Sequence, residues 1–420
     1  MSDWFDQKSA IRESYDEITP MVLKFCSYHL GRCLALWLVA ASSYAVELAP
    51  VFGDHMVLPM EATIPVWGTA EPGSEVSVSY GDLKIQATTD QSGGWRAELP
   101  PLKRSSDNKV LLVSSGETRL KLSDVLVGEV WLCAGQSNMD FPLARAIGGR
   151  EEANTALKYP NIRLLDMSGV HTAKRRYQPA ERQRMTPARY FEGDWQRATK
   201  DSANVFSAVG WWAGKEIHIG KGVPVGIIDC SVGGSGTEAW LPAEILKRRP
   251  SYAELLSDEW IETSRISAWA RGRGKLNLGD AAGNHPFRPG FLFEAGVRKW
   301  SSFPISGVLW YQGETNAEIH DDRWNAQLLN DMVVGWRQVL ELPQLPFFMV
   351  QLPRIGGADP MRKWWPEYRK VQERVASSNP GVTLVKTIDL GWDSPDVHPP
   401  DKRPVGQRLG QSVVAATRKP

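Results

Sequence analysis

Two residues far apart in the 420-residue chain have the chemistry of a nucleophile and its base, Ser137 and His398. Ser137 lies in Gly135-Gln136-Ser137-Asn138-Met139, directly after the apolar run Val125–Cys133. A serine at a strand-to-helix turn presents its hydroxyl at the sheet rim, and the amides behind it can hold a negatively charged oxygen. The motif is not the G-x-S-x-G elbow, because Met139 stands in place of the second glycine. Taken alone, Ser137 reads first as a helix N-cap, and only the other motifs turn it into a nucleophile. Among seven histidines, His398 is the best placed, in Asp393-Ser394-Pro395-Asp396-Val397-His398-Pro399 after the last apolar run. Residues two apart in an extended stretch face the same way, so Asp396 is positioned to orient the imidazole and stabilise its cation. Asp393 is the reserve acid, and His285 and His320 are weaker rivals because neither sits at a strand end with an acid in register.

Two further motifs follow apolar runs, Ser231-Val232-Gly233-Gly234-Ser235 and Gln312-Gly313-Glu314-Thr315-Asn316. Gly233 and Gly234 allow close backbone approach, so their amides can donate to a tetrahedral oxyanion; a plain tight turn is the alternative. The side-chain amides of Gln312 and Asn316 offer more donors, and Glu314 is an acid suited to tying loops together. Gln136, Glu314 and Asp393 are expected in supporting positions.

Those motifs need a common edge. Five apolar runs, Val125–Cys133, Val225–Cys230, Ile305–Tyr311, Phe347–Gln351 and Thr383–Ile388, alternate with helical patterns, which predicts five parallel strands covered by helices over residues 123–420. Trp324, Leu328, Met332, Trp336 and Val339 mark one apolar helix face, and further helices are expected near Trp212, over Glu367–Ala376 and over Arg408–Ala416. In such a sheet, ligands bind beyond the carboxyl ends of the strands, where four of the five runs carry the motifs above. Residues 144–203 are polar, Arg-rich and irregular, and read as long loops over one rim. Residues 46–122 differ. Thr63–Trp67, Glu75–Tyr80, Lys84–Thr88, Trp95–Leu99 and Val110–Ser114 are short strands separated by turn residues such as Pro72-Gly73, which predicts an accessory antiparallel β-sandwich.

With 49 basic and 48 acidic residues the chain has no basic face for nucleic acid, so a small or neutral partner is expected. Eighteen tryptophans fit core packing or sugar stacking. Lys24, His29 and Arg32, the apolar stretch Cys33–Ala41 and Ser43-Tyr44-Ala45 form a signal-peptide pattern with cleavage after Ala45, which implies a secreted or periplasmic protein with no membrane attachment. Met21 is the expected start, with residues 1–20 an over-extended reading frame. Cleavage leaves Cys133 and Cys230, as neighbouring thiols or a bridge, and no zinc-ligand spacing is present.

The stretches VLVGEVWLCAGQSNM (Val125–Met139), SVGGSGTEAW (Ser231–Trp240), GVLWYQGETNA (Gly307–Ala317), PFFMVQLP (Pro346–Pro353) and DVHPPDKRPVGQRL (Asp396–Leu409) resemble the sialate O-acetylesterase family of the SGNH hydrolase superfamily. FGDHMVLP (Phe52–Pro59) and VWGTAEPGSEV (Val66–Val76) look like the β domain that precedes its hydrolase domain. The resemblance implies a three-layer α/β/α, flavodoxin-like domain that uses no metal or cofactor and moves acetyl groups from sugar hydroxyls to water. It assigns the nucleophile to Ser137, the base to His398 and the oxyanion glycine to Gly233 or Gly234. Two departures stand out: Glu314-Thr315-Asn316 replaces the end of the G-x-N-D motif, which leaves open whether Gln312 or Asn316 completes the oxyanion hole, and Pro395 occupies the acid position of D-x-x-H, which makes Asp396 the expected orienting acid with a backbone carbonyl or Asp393 as the fallback. The expected protein is a carbohydrate O-acetylesterase acting on an acetylated sugar or polysaccharide. A sugar-binding protein without catalysis, or a lipase or thioesterase on the same scaffold, are the alternatives.

Overall fold

The structure, a computed structural model, describes residues 45–279, 283–357 and 360–417. The expected leader falls outside these residues except for Ala45. Fourteen strands are present among the described residues: β1 (Glu47–Leu48), β2 (Val57–Pro59), β3 (Ile64–Thr69), β4 (Glu75–Tyr80), β5 (Leu83–Thr88), β6 (Gly94–Leu99), β7 (Ser105–Ser115), β8 (Thr118–Gly135), β9 (Ile162–Asp166), β10 (Trp195–Arg197), β11 (Val225–Asp229), β12 (Gly307–Tyr311), β13 (Phe347–Val350) and β14 (Val382–Val385). The helices that matter for the site are α1 (Ala208–Lys221), α2 (Ala268–Leu278), α3 (Asp322–Val339), α4 (Trp365–Ser378) and α5 (Arg403–Thr417).

Before residue 118, strands β1, β3 and β6 form one antiparallel sheet, while β4 pairs with β5 and β7 in a second. Alternation in β4 and β6 turns Val76, Val78, Trp95 and Ala97 into a common apolar core. β8 then links the two parts of the chain. Its first half pairs with β7, its 18 residues pass without a break through position 122, and its second half becomes a central strand of the main sheet. Asp124 marks the change of partner at φ +58°. Its buried carboxylate accepts from Arg163 (3.0 Å), His55 (2.7 Å) and Arg197 (2.5 Å), which fastens β8 to β9, β10 and the loop after β1.

The main sheet runs β10-β9-β11-β8-β12-β13-β14, parallel except for β10 at the edge. Leu132, Val308, Trp310, Phe347 and Met349 pack on one face with Leu328, Met332 and Trp336 of α3 and Val371 of α4. Trp131, Cys133, Leu309, Tyr311 and Val350 pack on the other with Trp211 of α1 and Val405 and Leu409 of α5. Burial on both faces explains why these strands read as unbroken apolar runs.

Two expectations need correction. The sheet has six parallel strands, not five: β9 lies in the segment read as irregular, because Arg163 and a short run hid a strand whose arginine is buried against Asp124. The order is also not that of flavodoxin, in which the first strand lies between the second and the third. Here the third parallel strand, β11, separates β9 from β8. Cys133 and Cys230 are both buried free thiols.

Register fixes the working edge. Gly135 of β8 pairs with Tyr311 of β12, and Cys133 with Asp229 of β11, so the three strands end side by side and their following loops form one rim. Gly135 has φ +137°, and a Cβ there would lie 2.1 Å from the Tyr311 carbonyl oxygen. Gly135→Ala should therefore cost about 3 kcal/mol or more from backbone strain and overpacking, seen as a lower urea midpoint; an unchanged midpoint would contradict this.

Candidate active site

Ser137 follows β8 by two residues and His398 stands on the loop before α5. His398 Nε2 lies 2.8 Å from Ser137 Oγ, and Nδ1 lies 2.8 Å from Asp396 Oδ1. The same carboxylate oxygen accepts the His398 backbone N–H at 3.1 Å, so the i, i+2 placement read from sequence fixes both ring and backbone. Asp393 lies against Gly356 instead of joining this array. His285 is fully buried beside Asn277 and pushed down to about 3 by burial, and His320 stacks on Trp364. Neither rival histidine belongs to the site.

The His398 side chain is 14 % exposed and that of Asp396 is 50 %. Burial lowers the proton affinity of His398; Asp396 opposes this and Lys402 adds to it, with a net downward result. The imidazole is thus kept neutral near pH 7, the form able to accept a proton. The hydrogen bond from His398 holds Asp396 below its ordinary range, so the acid is ionised.

Behind Ser137 is a buried polar frame. Asn138 is fully buried; its amide nitrogen donates to Glu314 and, at 2.9 Å, to the Val397 carbonyl next to His398. Its amide oxygen accepts from the buried ammonium of Lys402. Burial raises Glu314 to about 7 and lowers Lys402 to about 7, with each charge opposing the other's shift. The loop after β12 is held similarly. Gln136 Oε1 accepts from Gln312 Nε2 (3.1 Å) and from the Thr315 amide (3.2 Å). Gln312 Nε2 also donates to Asn316 Oδ1 (2.6 Å), and Asn316 Nδ2 donates to Glu238 (3.1 Å), which burial raises to about 7. The side-chain amides of Gln312 and Asn316 are therefore engaged with protein groups. By contrast, among the described residues the N–H groups of Ser137, Gly233 and Gly234 carry no hydrogen bond from within the protein. Gly234 has φ +80°, and a Cβ there would lie 2.3 Å from the Trp269 ring.

Sequence reasoning placed Ser137, His398, Asp396, Gly233 and Glu314 at this edge, and all of them lie there. It missed Asn138 and Lys402. The signal for Asn138 was its place beside the serine; a lysine gives none, because lysines are mostly exposed.

A hydroxyl, imidazole and carboxylate in series, beside unpaired amides at the carboxyl edge of a parallel sheet, suit acyl transfer. By class the protein is a carboxylic ester hydrolase. Residues 127–415 match the profile of the family described as carbohydrate esterase, sialic acid-specific acetylesterase, and the chain belongs to that family. It is 25 % identical to human sialate O-acetylesterase over 406 residues, 90 % of this chain and 72 % of that protein. The rat sialate O-acetylesterase is 26 % identical over 415 residues, 89 % of this chain and 74 % of that protein. The crystal structure of a carbohydrate acetylesterase from Xanthomonas citri superposes with a TM-score of 0.70 at 29 % identity, covering 88 % of this chain and 74 % of that one.

Removal of Lys402 would leave Glu314 buried without its counter-charge, a loss of about 3 kcal/mol. Lys402→Met should lower the urea midpoint accordingly, and Lys402→Met/Glu314→Gln should recover part of the loss. Equal midpoints for the single and double variants would show that the two charges do not communicate through Asn138.

Proposed function

We propose that the chain is a carbohydrate O-acetylesterase that works through an acetyl-enzyme on Ser137. His398 Nε2 takes the Ser137 proton as Oγ bonds to the acetyl carbon. The bond from that carbon to the sugar oxygen then breaks, and the proton passes from His398 to the departing sugar hydroxyl. Water, deprotonated by the same imidazole, attacks the acetyl-enzyme; acetate leaves and the proton returns to Ser137. Asp396 holds the imidazole in the correct tautomer and stabilises its cation. The N–H groups of Ser137 and of Gly233 or Gly234 hold the oxyanion. Gln312 and Asn316, together with Gln136, support these donors by fixing the two loops against each other.

One observation carries the reading: two 2.8 Å contacts join Ser137, His398 and Asp396 in the order that proton transfer requires. A binding protein has no use for a serine held against a neutral, largely shielded imidazole, which disfavours the reading without catalysis. The substrate is an acetylated sugar, in line with the names of the family and its relatives. The signal-peptide pattern supports a secreted or periplasmic site of action. Residues 46–122 act as an accessory β-sandwich domain and residues 123–420 as the catalytic domain, with neither nucleic acid nor membrane as a partner.

Ser137→Ala should reduce acetate release from p-nitrophenyl acetate and from an acetylated sugar by on the order of 10^6-fold in kcat. Retained activity in a folded Ser137→Ala protein would overturn the assignment.

A further inference from the structure

One aromatic ring stands against the loop that offers the free amides. Trp269, the second residue of α2, is partly exposed, and the benzenoid edge of its indole lies on Gly234. A Cβ on that glycine would come 2.3 Å from the indole Cη2 and 3.1 Å from Cζ of Phe287.

The ring is braced on several sides. The Arg273 guanidinium, one turn further along α2, lies 5.2 Å from the ring centre, and Arg273 is itself anchored by donating to the Thr172 carbonyl. Phe287 packs beside the indole with ring centroids 5.8 Å apart. At the start of α2, the Ser267 hydroxyl oxygen accepts from the Ala270 N–H at 3.0 Å. Glu318, in the loop after β12, accepts from the Ser267 side chain and the Trp269 N–H. The Gly234 carbonyl in turn accepts from the Thr315 hydroxyl at 3.2 Å. The first turn of α2, the glycine loop and the loop after β12 thus form one rigid wall.

The place of this wall relative to the catalytic pair decides what it meets. β8, which leads to Ser137, lies between β11 and β12. His398 reaches the serine from the side of β12 and β13, where the neighbouring Val397 packs with Ala317, Leu352, Trp365 and Tyr368. Gly233, Gly234 and the Trp269 ring stand on the β11 side. An ester whose carbonyl oxygen rests on the glycine amides has two other substituents on the carbonyl carbon. Its alkoxy oxygen must face His398 to receive the proton. The acyl chain is therefore the substituent turned away from His398, toward the glycine loop and the ring. Each added methylene would have to push against an indole held by arginine and phenylalanine, and close-packed groups yield only at a cost.

We propose that Trp269 walls the acyl end of the site and restricts the ester to acetyl. The inference rests on the serine esterase reading above. Chain length is then set by a residue of α2, apart from whatever groups bind the sugar.

The test compares kcat/KM on p-nitrophenyl acetate, propionate and butyrate, and on O-acetylated methyl xyloside, for the wild type, Trp269→Ala, Trp269→Phe and Ser137→Ala. The wild type should favour acetate over butyrate, and Trp269→Ala should shrink that preference by about 10-fold or more, the scale on which a fitted apolar pocket discriminates a methylene. Trp269→Phe, which keeps a smaller ring on Gly234, should fall between the two and carries the test if the alanine variant does not fold. The ratio of xyloside to p-nitrophenyl acetate activity should stay near the wild-type value in both. A wild type indifferent to chain length would overturn the proposal. So would a chain-length preference unchanged in the Trp269 variants while only the xyloside ratio falls, which would assign the ring to the sugar, or one unchanged with no other effect. Ser137→Ala separates the two levels: if it is inactive while the chain-length preference stays constant, only the Trp269 assignment fails, and if it is active, the serine mechanism fails with it.

Discussion

Ser137 and His398 are 261 positions apart in the chain and 2.8 Å apart at the sheet edge. Local chain geometry cannot hold such a contact, so tertiary bonds must carry it. Asn138 does this at shortest range, because one side chain, adjacent to the serine, grips the carbonyl adjacent to the histidine. Lys402 and Glu314 fix that amide from both sides. Burying an ammonium and a carboxylate is unfavourable unless they are paired through good hydrogen bonds. That their proton affinities are driven toward each other by burial is the electrostatic trace of this arrangement.

The register of three strands makes the frame possible. β8, β11 and β12 end at one level, so the loops bearing Gln136, Gly233 and Gln312 emerge side by side and bind one another through Gln136 and Asn316. The unbroken β8 also joins this edge to the amino-terminal strands, with Asp124 clamping the junction through two arginines and a histidine. Burial alone would raise the proton affinity of Asp124, but its bonds to His55 and Arg197 and the charge of Arg163 outweigh it, and the carboxylate is held below its ordinary range. Its stabilising effect is therefore present above the unfolded-state value and fades as pH falls through the folded-state value.

Much of this was legible in the sequence because parallel strands buried on both faces leave uninterrupted apolar runs, and because ligands gather at strand ends. That logic located Ser137, the glycine pair and the Asp396–His398 unit. It failed for Ile162–Asp166, where a strand of five residues contains a buried arginine that composition assigns to the surface. It failed also for the strand order, since periodicity says which segments are strands and nothing of who neighbours whom. Gln312 and Asn316 looked like free donors because a sequence shows amide groups without their partners. In the fold those partners are Gln136, Glu238 and each other, and the unpaired donors are backbone N–H groups that no residue type announces.

Catalysis on Ser137 turns on a covalent step at one oxygen atom. Rapid acid quenching of the enzyme during turnover of p-nitrophenyl acetate, followed by peptide mass spectrometry, reads that step directly. One acetyl group is expected, on the peptide carrying Ser137 and on the serine itself, appearing with the first turnover and decaying as substrate is exhausted. Turnover with no acetylated peptide at any quench time, or acetyl transfer to a different residue in step with product, would contradict it.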